Sequence, residues 1–235
     1  MTTTLDSYSE YANAALANYE KRDAASRFLL FDAVKDLKIE RVLDVGCGAG
    51  QELFPFLGKT NAFCVGIDIA DELGKITNEI FNQKDFSDRA KFARSKGESL
   101  PFANESFDVV LCRVALPYMN NRLTIAEVAR ILKPNGIFLL KTHAPPFYSA
   151  MMKERIKTLN PKQIAYPLIC VAASIFHLLS GKQLETGFWK GKEIFQTRGF
   201  LEKEFAKNGL KIKDELSDSN PLSPSFLIVK NVNQG

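Results

Sequence analysis

An aspartate and three glycines, Asp44, Gly46, Gly48 and Gly50, form the part of the sequence best suited to hold a ligand. They follow a short apolar stretch, residues 42–45, that predicts a strand. Glycine has no Cβ, so a ligand can approach the backbone of such a turn closely. The carboxylate two residues before the first glycine would repel a pyrophosphate and attract a cation. The pattern indicates a cationic ligand without phosphate groups.

Gln51 distinguishes this turn from a dinucleotide site. The GxGxxG fingerprint requires a glycine three places after Gly48, where this chain has Gln51. An NAD-dependent oxidoreductase is therefore an alternative that the residues disfavour.

A second acid, Asp68, ends the apolar stretch at residues 61–67. A carboxylate at the end of a second strand can accept hydrogen bonds from both hydroxyls of an adenosine ribose. The alternative is a helix N-cap before residue 71. We favour the ribose.

Four segments carry a family resemblance through their order and spacing. They are VLDVGCGAG (42–50), VGIDIA (65–70), SLPFANESFDVVLC (99–112) and EVARILKPNGIFLLK (127–141). Together they resemble the class I S-adenosylmethionine-dependent methyltransferases, and more narrowly the small-molecule branch with the ubiquinone-type methylases. The resemblance covers residues 38–143 well and residues 194–230 more weakly. It implies S-adenosyl-L-methionine as methyl donor, S-adenosyl-L-homocysteine as product, and a small, partly hydrophobic acceptor.

The resemblance also implies roles for individual residues. Asp44 would hold the donor's ammonium group, Asp68 its ribose, and Ile69 would pack on the adenine. The predicted cofactor-binding residues are Asp44, Gly46, Cys47, Gly48, Asp68, Ile69, Gly97, Glu98, Arg113 and Tyr19.

The adenine segment departs from the family pattern at Lys96. The family has an acid there that binds the adenine amino group, so that contact cannot be carried over. We expect the backbone of Gly97 and Glu98, with packing from Leu100, to hold the ring instead.

Arg113, Tyr118 and His143 are candidates on the acceptor side, with Tyr118 and His143 as the catalytic candidates. His143 follows the fifth predicted strand and could remove a proton from the acceptor. The alternative, a loop histidine hydrogen-bonded to backbone, is slightly favoured, because transfer to a reactive nucleophile needs mainly alignment.

Residues 145–195 form a helical insertion that we expect to cap the substrate side. Residues 164–179 are mostly apolar but shorter than the ~20 residues that span a bilayer, so we predict no transmembrane segment. This run would roof the pocket, form a dimer face, or touch a membrane with help from Lys153, Arg155 and Lys157, in that order of preference.

Two further features have alternative interpretations. Tyr8, Tyr11 and Tyr19 would either form an aromatic lid or pack a helix onto the sheet; the alternatives are even for Tyr19, and packing is favoured for the others. Glu127 and Arg130, three residues apart, favour a solvated pair on a helix face.

The composition of the chain limits which partners and which cellular compartment are expected. The net charge is +4 with no dense Lys/Arg block, which argues against nucleic acid as a partner. Four scattered cysteines and two histidines favour buried reduced thiols over a metal site. The first residues do not resemble a signal peptide, and we expect a cytoplasmic protein.

The order of predicted strands and helices that position these residues indicates one α/β domain. We expect a Rossmann-like, doubly wound, seven-stranded, mostly parallel sheet with an antiparallel C-terminal hairpin. Residues 1–37 would form a helical lid, 38–144 the cofactor-binding core, 145–195 the cap, and 196–235 the last helix and hairpin. We expect an enzyme; a non-catalytic, cofactor-binding regulatory protein is the alternative, and both monomer and homodimer stay open.

Overall fold

A computed structural model describes residues 4–184, 186–189, 191–217 and 220–231. The side chain of Tyr8 and the outer ends of the predicted segments 1–37 and 196–235 lie outside the described part.

A seven-stranded sheet forms the centre of the described chain, in the order β3-β2-β1-β4-β5-β7-β6. Strands β1 to β5 pair in parallel, and β7 is antiparallel to both β5 and β6. The predicted doubly wound sheet with its C-terminal hairpin is confirmed. The strands are β1 Arg41–Val45, β2 Phe63–Asp68, β3 Ala90–Arg94, β4 Phe107–Arg113, β5 Leu132–Lys141, β6 Leu210–Leu216 and β7 Ser225–Lys230.

Helices cover both faces of the sheet because the central strands are apolar on both sides. In β1, Leu43 and Val45 belong to one buried cluster, whereas Val42 belongs to the cluster on the opposite face. The helices are α1 Thr4–Lys21, α2 Ala24–Asp32, α3 Phe54–Lys59, α4 Asp71–Gln83, α5 Asn121–Ile131, α6 Pro145–Ile156, α7 Pro161–Ser180 and α8 Arg198–Lys207, with 3-10 turns at Gln51–Leu53, Leu116–Tyr118 and Gly187–Trp189.

Two predicted boundaries differ from the structure. The helical pattern over residues 9–36 is two helices: α1 ends at Lys21, and Asp23 caps α2 by accepting a hydrogen bond from the Ser26 N–H at 2.7 Å. Residues 133–136, expected as a turn before the fifth strand, lie within β5 at an irregularity in its pairing with β4. Asn135 takes φ +62° there.

The insertion is a pair of packed helices, α6 and α7. Asn160 caps α7 at its N-terminus, and Gly181, at φ +70°, ends it. The carboxyl ends of β1, β2, β4 and β5 meet at one edge of the sheet, with the insertion attached after β5. This edge is where ligands bind in open α/β sheets.

Candidate active site

The glycine turn after β1 is closed by backbone hydrogen bonds and by the segment after β4. The N–H groups of Gly46 and Cys47 both donate to the Ile67 carbonyl at 2.9 Å. Gly46 and Gly48 have φ of +75° and +53°, which glycine adopts at little cost. A Cβ at Gly46 would lie 2.3 Å from the Cβ of Ala115. Only glycine fits position 46.

Asp44 is a buried carboxylate with an unpaired oxygen at the end of β1. Its side chain is 1% exposed, and Oδ2 has no hydrogen-bond partner among the residues that the structure describes. Burial raises the pKa of Asp44 well above its ordinary value, and the nearby Glu52 and Asp68 carboxylates raise it further, whereas Arg113 acts in the opposite direction. A cationic ligand would relieve both effects, which fits the ammonium role predicted for Asp44.

A charged group that the motif analysis missed lies beside Asp44. Glu52 Oε1 accepts from Arg22 Nη1 at 2.8 Å and lies 3.5 Å from Arg113 Nη1. The Arg22 guanidinium stacks over the Tyr19 ring at 5.1 Å, and Tyr19 packs edge-on against Phe54. Tyr19 is therefore buried and packs against these charged side chains. Only the position of Glu52, directly after the glycine turn, could have indicated it from sequence.

Asp68, at the end of β2, bonds the backbone of the glycine turn and of the segment before α4. One carboxylate oxygen accepts the Gly48 N–H and the other the Ala70 N–H, both at 3.3 Å. The N-cap residue of α4 is Ala70, so the alternative that Asp68 caps this helix is wrong. A carboxylate has about four acceptor positions, so both oxygens can still accept ligand hydroxyls.

Tyr11 of α1 lies over the glycine turn. Its hydroxyl is 3.5 Å from where a Cβ of Gly48 would be. Burial of the hydroxyl, followed by the charges of Asp68 and Cys47, raises the pKa of Tyr11. Packing onto the sheet was the favoured expectation for Tyr11, but Tyr11 is 56% exposed and its ring lies over the glycine turn.

Cys47 contributes backbone to the turn. Its Sγ would lie 2.7 Å from a Cβ at Gly66, in the interior of the sheet. Burial, with the charges of Asp44 and Asp68, raises the pKa of this thiol well above its ordinary value. All four cysteines, 47, 64, 112 and 170, are free and buried, as expected.

The residues predicted to meet the adenine follow the carboxyl ends of β2 and β3. Ile69 is 61% exposed, so its side chain is free to contact a ligand. A Cβ at Gly97 would lie 2.7 Å from Met119 Sδ, so there is no room for a side chain at this position and only backbone atoms can contact a ligand. The Glu98 carboxylate accepts the Asn120 N–H at 2.7 Å and ties the segment to the loop after β4.

Glu127 and Arg130 hold the adenine segment in place. Glu127 Oε2 accepts the Leu100 N–H at 2.7 Å, and Arg130 donates to the carbonyls of Leu100 at 2.9 Å and Phe102 at 2.7 Å. Arg130 and Glu127 also pair with each other at 2.8 Å. The expectation of a merely solvated pair is wrong. Leu100 itself is buried in the core and not at the cleft surface.

Two of the acceptor-side candidates, His143 and Tyr118, meet at a buried carboxylate, Glu193, which is 3% exposed, whereas Arg113 lies beside Glu52. Glu193 Oε2 lies 3.0 Å from His143 Nδ1 and accepts from the Tyr148 hydroxyl at 3.0 Å. Glu193 Oε1 accepts from the Tyr166 hydroxyl at 3.0 Å. A hydrogen bond with Glu193 also contributes, after burial and the charge of Glu193, to a raised pKa for Tyr118. The favoured expectation, His143 bonded to backbone in a loop, is wrong.

The segment around Glu193 is joined by backbone hydrogen bonds to the loops after β4 and β5. The Ile194 N–H donates to the Pro117 carbonyl at 2.8 Å, and Phe147 stacks on the His143 ring at 3.6 Å between centroids. Burial would raise the pKa of Glu193, but hydrogen bonds from His143 and Tyr166 outweigh it and hold the pKa below the ordinary value. Glu193 is therefore an ionised acceptor. It was missed because it lies 50 residues from His143 in sequence.

The comparison with known families identifies the core. A family model described as a methyltransferase domain matches residues 43–140. Residues 43–140 are thus a methyltransferase domain, and the comparisons support a class I S-adenosylmethionine-dependent enzyme. The unpaired Asp44 oxygen, the glycine-only turn and the Asp68 carboxylate fit S-adenosylmethionine, the cofactor of this family.

Two curated relatives match part of the chain. The uncharacterized methyltransferase YcgJ of Bacillus subtilis is 37% identical over 107 residues, 45% of this chain and 42% of that protein. The sterol 4-C-methyltransferase strm-1 of Caenorhabditis elegans is 34% identical over 128 residues, 52% of this chain and 37% of that protein. The chain thus spans less than half the length of these relatives.

A solved structure shows the same fold over most of the chain. It is a geranyl diphosphate C-methyltransferase from Streptomyces coelicolor A3(2), in complex with Mg2+, geranyl diphosphate and S-adenosyl-L-homocysteine. The TM-score is 0.64 at 13% identity, covering 95% of this chain and 84% of that chain.

Proposed function

We propose that this protein transfers a methyl group from S-adenosylmethionine to a small, partly hydrophobic acceptor whose nucleophilic oxygen or nitrogen carries a proton. The observation that carries this proposal is the His143–Glu193 pair at the acceptor side of the cofactor cleft. The family match supports methyl transfer in general, and this pair supports the kind of acceptor.

On the donor side, the chain's own residues bind and orient. Asp44 holds the ammonium group, the glycine turn allows close approach of the methionine end, and Asp68 binds the ribose. Ile69 covers one face of the adenine, and the Gly97–Glu98 backbone meets its edge. Bound S-adenosylmethionine supplies an electrophilic methyl group on a positively charged sulfur.

On the acceptor side, His143 is the proposed general base. A neutral imidazole whose Nδ1–H donates to Glu193 keeps its other nitrogen, Nε2, free as a proton acceptor. The ionised Glu193 stabilises the imidazolium that forms when the acceptor's proton arrives. Tyr118, half exposed and bonded to the same carboxylate, is placed to contact the acceptor.

The apolar part of the acceptor is supported by the residues around this pair. Phe147, Tyr148 and Phe195 form an aromatic cluster with α7 beside His143. The names of the worm sterol methyltransferase and of the geranyl diphosphate methyltransferase record a sterol and a geranyl chain, both of which are largely apolar groups. Four buried free cysteines support a reducing, cytoplasmic compartment.

The first experiment is calorimetric titration of S-adenosylmethionine and of NADH into wild type and Asp68→Ala. We expect micromolar binding of the methyl donor, lost in the variant, and no NADH binding. Absence of donor binding, or a preference for NADH, would remove the methyltransferase proposal, and only NADH binding would favour the oxidoreductase alternative.

The second experiment follows S-adenosylhomocysteine release with alkyl phenols, hydroquinones, fatty acids and long-chain amines. We expect His143→Asn to bind the donor normally but to lose about 10²–10⁴-fold in turnover, the range of a general base. His177→Asn is the matched control, because His177 is the other histidine and packs against Phe200 instead. Donor binding with no turnover on any acceptor would favour the regulatory alternative. Full turnover by His143→Asn would exclude His143 as base.

A further inference from the structure

The outer face of α7 is an exposed apolar surface. Leu168, Ala172, Ile175 and Leu179 recur every three or four residues and are all exposed, with Leu168 at 59% and Leu179 at 85%. Residues at this spacing share one side of a helix. We name this set the outer face of α7.

Exposed apolar side chains are concentrated in this part of the molecule. Thirteen large apolar side chains are exposed in the described chain, and eight of them lie between residues 156 and 188. Monomeric soluble proteins rarely expose contiguous apolar patches larger than a few hundred Å². The eight are Ile156, Leu159, Leu168, Ile175, Phe176, Leu178, Leu179 and Phe188.

Positive charge is concentrated in the same segment. Residues 145–192 contain seven Lys/Arg and two Asp/Glu, a net charge of +5, whereas the rest of the chain has a net charge of −1. Exposed lysines lie at both ends of the outer face: Lys153, Lys157 and Lys162 before it and Lys182 after it. An apolar face bordered by lysines is complementary to an anionic lipid surface.

The inner face of α7 is bound to the protein, which argues against a spanning helix. By length and composition α7 could cross a membrane. However, Tyr166 donates to Glu193, and the Ser174 hydroxyl accepts the Phe195 N–H at 3.0 Å. Cys170 and His177 are buried on the same side. A helix held in this way along one side can only present its other side to lipid.

We propose that the protein docks on an anionic membrane surface, with the outer face of α7 lying in the headgroup region. A second copy of the chain is the less suitable partner, because a symmetric contact through this segment would bring two charges of +5 together. The inference stands independently of catalysis. If methyl transfer also holds, Tyr166 connects the docked helix to the acceptor side, and an acceptor resident in the membrane follows.

The test is co-sedimentation of the full chain with phosphatidylcholine vesicles, with and without phosphatidylglycerol, at low and high salt. We expect about 10-fold or greater preference for the anionic vesicles, weakened by salt. The double variant Ile175→Glu with Leu179→Glu should lose this binding. The matched control, Leu37→Glu with Leu123→Glu, changes exposed leucines outside the insertion and should bind like wild type.

Circular dichroism and thermal unfolding would verify that both double variants fold. Absence of vesicle binding by wild type, or equal loss in the control, would overturn the proposal. Light scattering covers the other occupant: a dimer that Ile175→Glu with Leu179→Glu converts to monomer would assign the outer face to a second copy.

Discussion

Replacing Asp44 with asparagine should stabilise the free protein while weakening donor binding. The carboxylate is 1% exposed and its Oδ2 is unpaired, and an unsatisfied buried polar group costs about 1–3 kcal/mol. The neutral amide is easier to bury, so we expect Asp44→Asn to gain about 1–2 kcal/mol in the free energy of unfolding at neutral pH.

The stability difference between Asp44→Asn and wild type should depend on pH in a defined direction. Burial raises the pKa of Asp44 in the folded protein above the unfolded value of about 3.9. Between those two values the folded state binds more protons than the unfolded state, so wild-type stability falls as pH rises. The variant has no titrating group here. Its advantage should therefore be absent at acidic pH, grow through this window, and be complete above the raised pKa.

Urea unfolding at several pH values, paired with calorimetry of S-adenosylmethionine, measures both effects. Loss of the ammonium partner should cost about 2–4 kcal/mol, roughly 30- to 1,000-fold in Kd. Asp68→Asn is the contrasting control: Asp68 bonds two backbone N–H groups, so this variant should lose stability as well as binding. An Asp44→Asn protein that is less stable than wild type, or that binds the donor equally well, would refute the reasoning.

Three further predictions concern the supports of the site. Glu193→Gln should lose about 2–4 kcal/mol of unfolding free energy at pH 7, because three hydrogen bonds to a charged acceptor are weakened. Since the pKa of Glu193 is lowered in the folded protein, the difference in unfolding free energy from wild type should shrink as pH falls below about 4.3. A difference in urea unfolding that stays constant with pH would contradict this. Gly46→Ala should destabilise the protein by about 3 kcal/mol or more in thermal unfolding, because its Cβ would clash with Ala115. Gly191 has a similar φ of +73° but space for a Cβ among the described residues, so Gly191→Ala should cost only the ~1–2 kcal/mol of backbone strain. Equal losses in the two variants would exclude the steric clash. Arg130→Ala should lose about 2–3 kcal/mol of unfolding free energy and weaken donor binding several-fold in calorimetry. The control Arg198→Ala, at an exposed arginine, should change the free energies of unfolding and of donor binding by less than about 1 kcal/mol each. Unaltered donor binding in Arg130→Ala would show that the segment bonded by Arg130 does not support the adenine.

The cofactor half of the site could be predicted because its residues are local to strand ends. Asp44, Gly46 and Asp68 each follow an apolar stretch directly, and parallel strands bring their carboxyl ends to one edge. Backbone geometry is what the glycine pattern encodes, and the structure shows φ values and close contacts that require glycine at position 46.

The acceptor half could not be predicted because its contacts join distant segments. Glu193 reaches His143 across 50 residues, and the helices α6 and α7 between them set its position. The Glu127–Arg130 pair has the spacing of a surface pair, and only the fold places the Leu100 and Phe102 backbone beside it. Charged residues that bond backbone in another segment leave no periodic signal in the sequence.

The two faces of α7 explain why one insertion could serve both proposals. Tyr166 and Ser174 hold the inner face through hydrogen bonds to the segment that contains Glu193, so the orientation of the helix is coupled to the position of that carboxylate. The outer-face residues Ile175 and Leu179 take no part in these bonds. Selection on the outer face can therefore change what the protein docks on without disturbing His143 and Glu193, whereas substitutions on the inner face must alter the acceptor side.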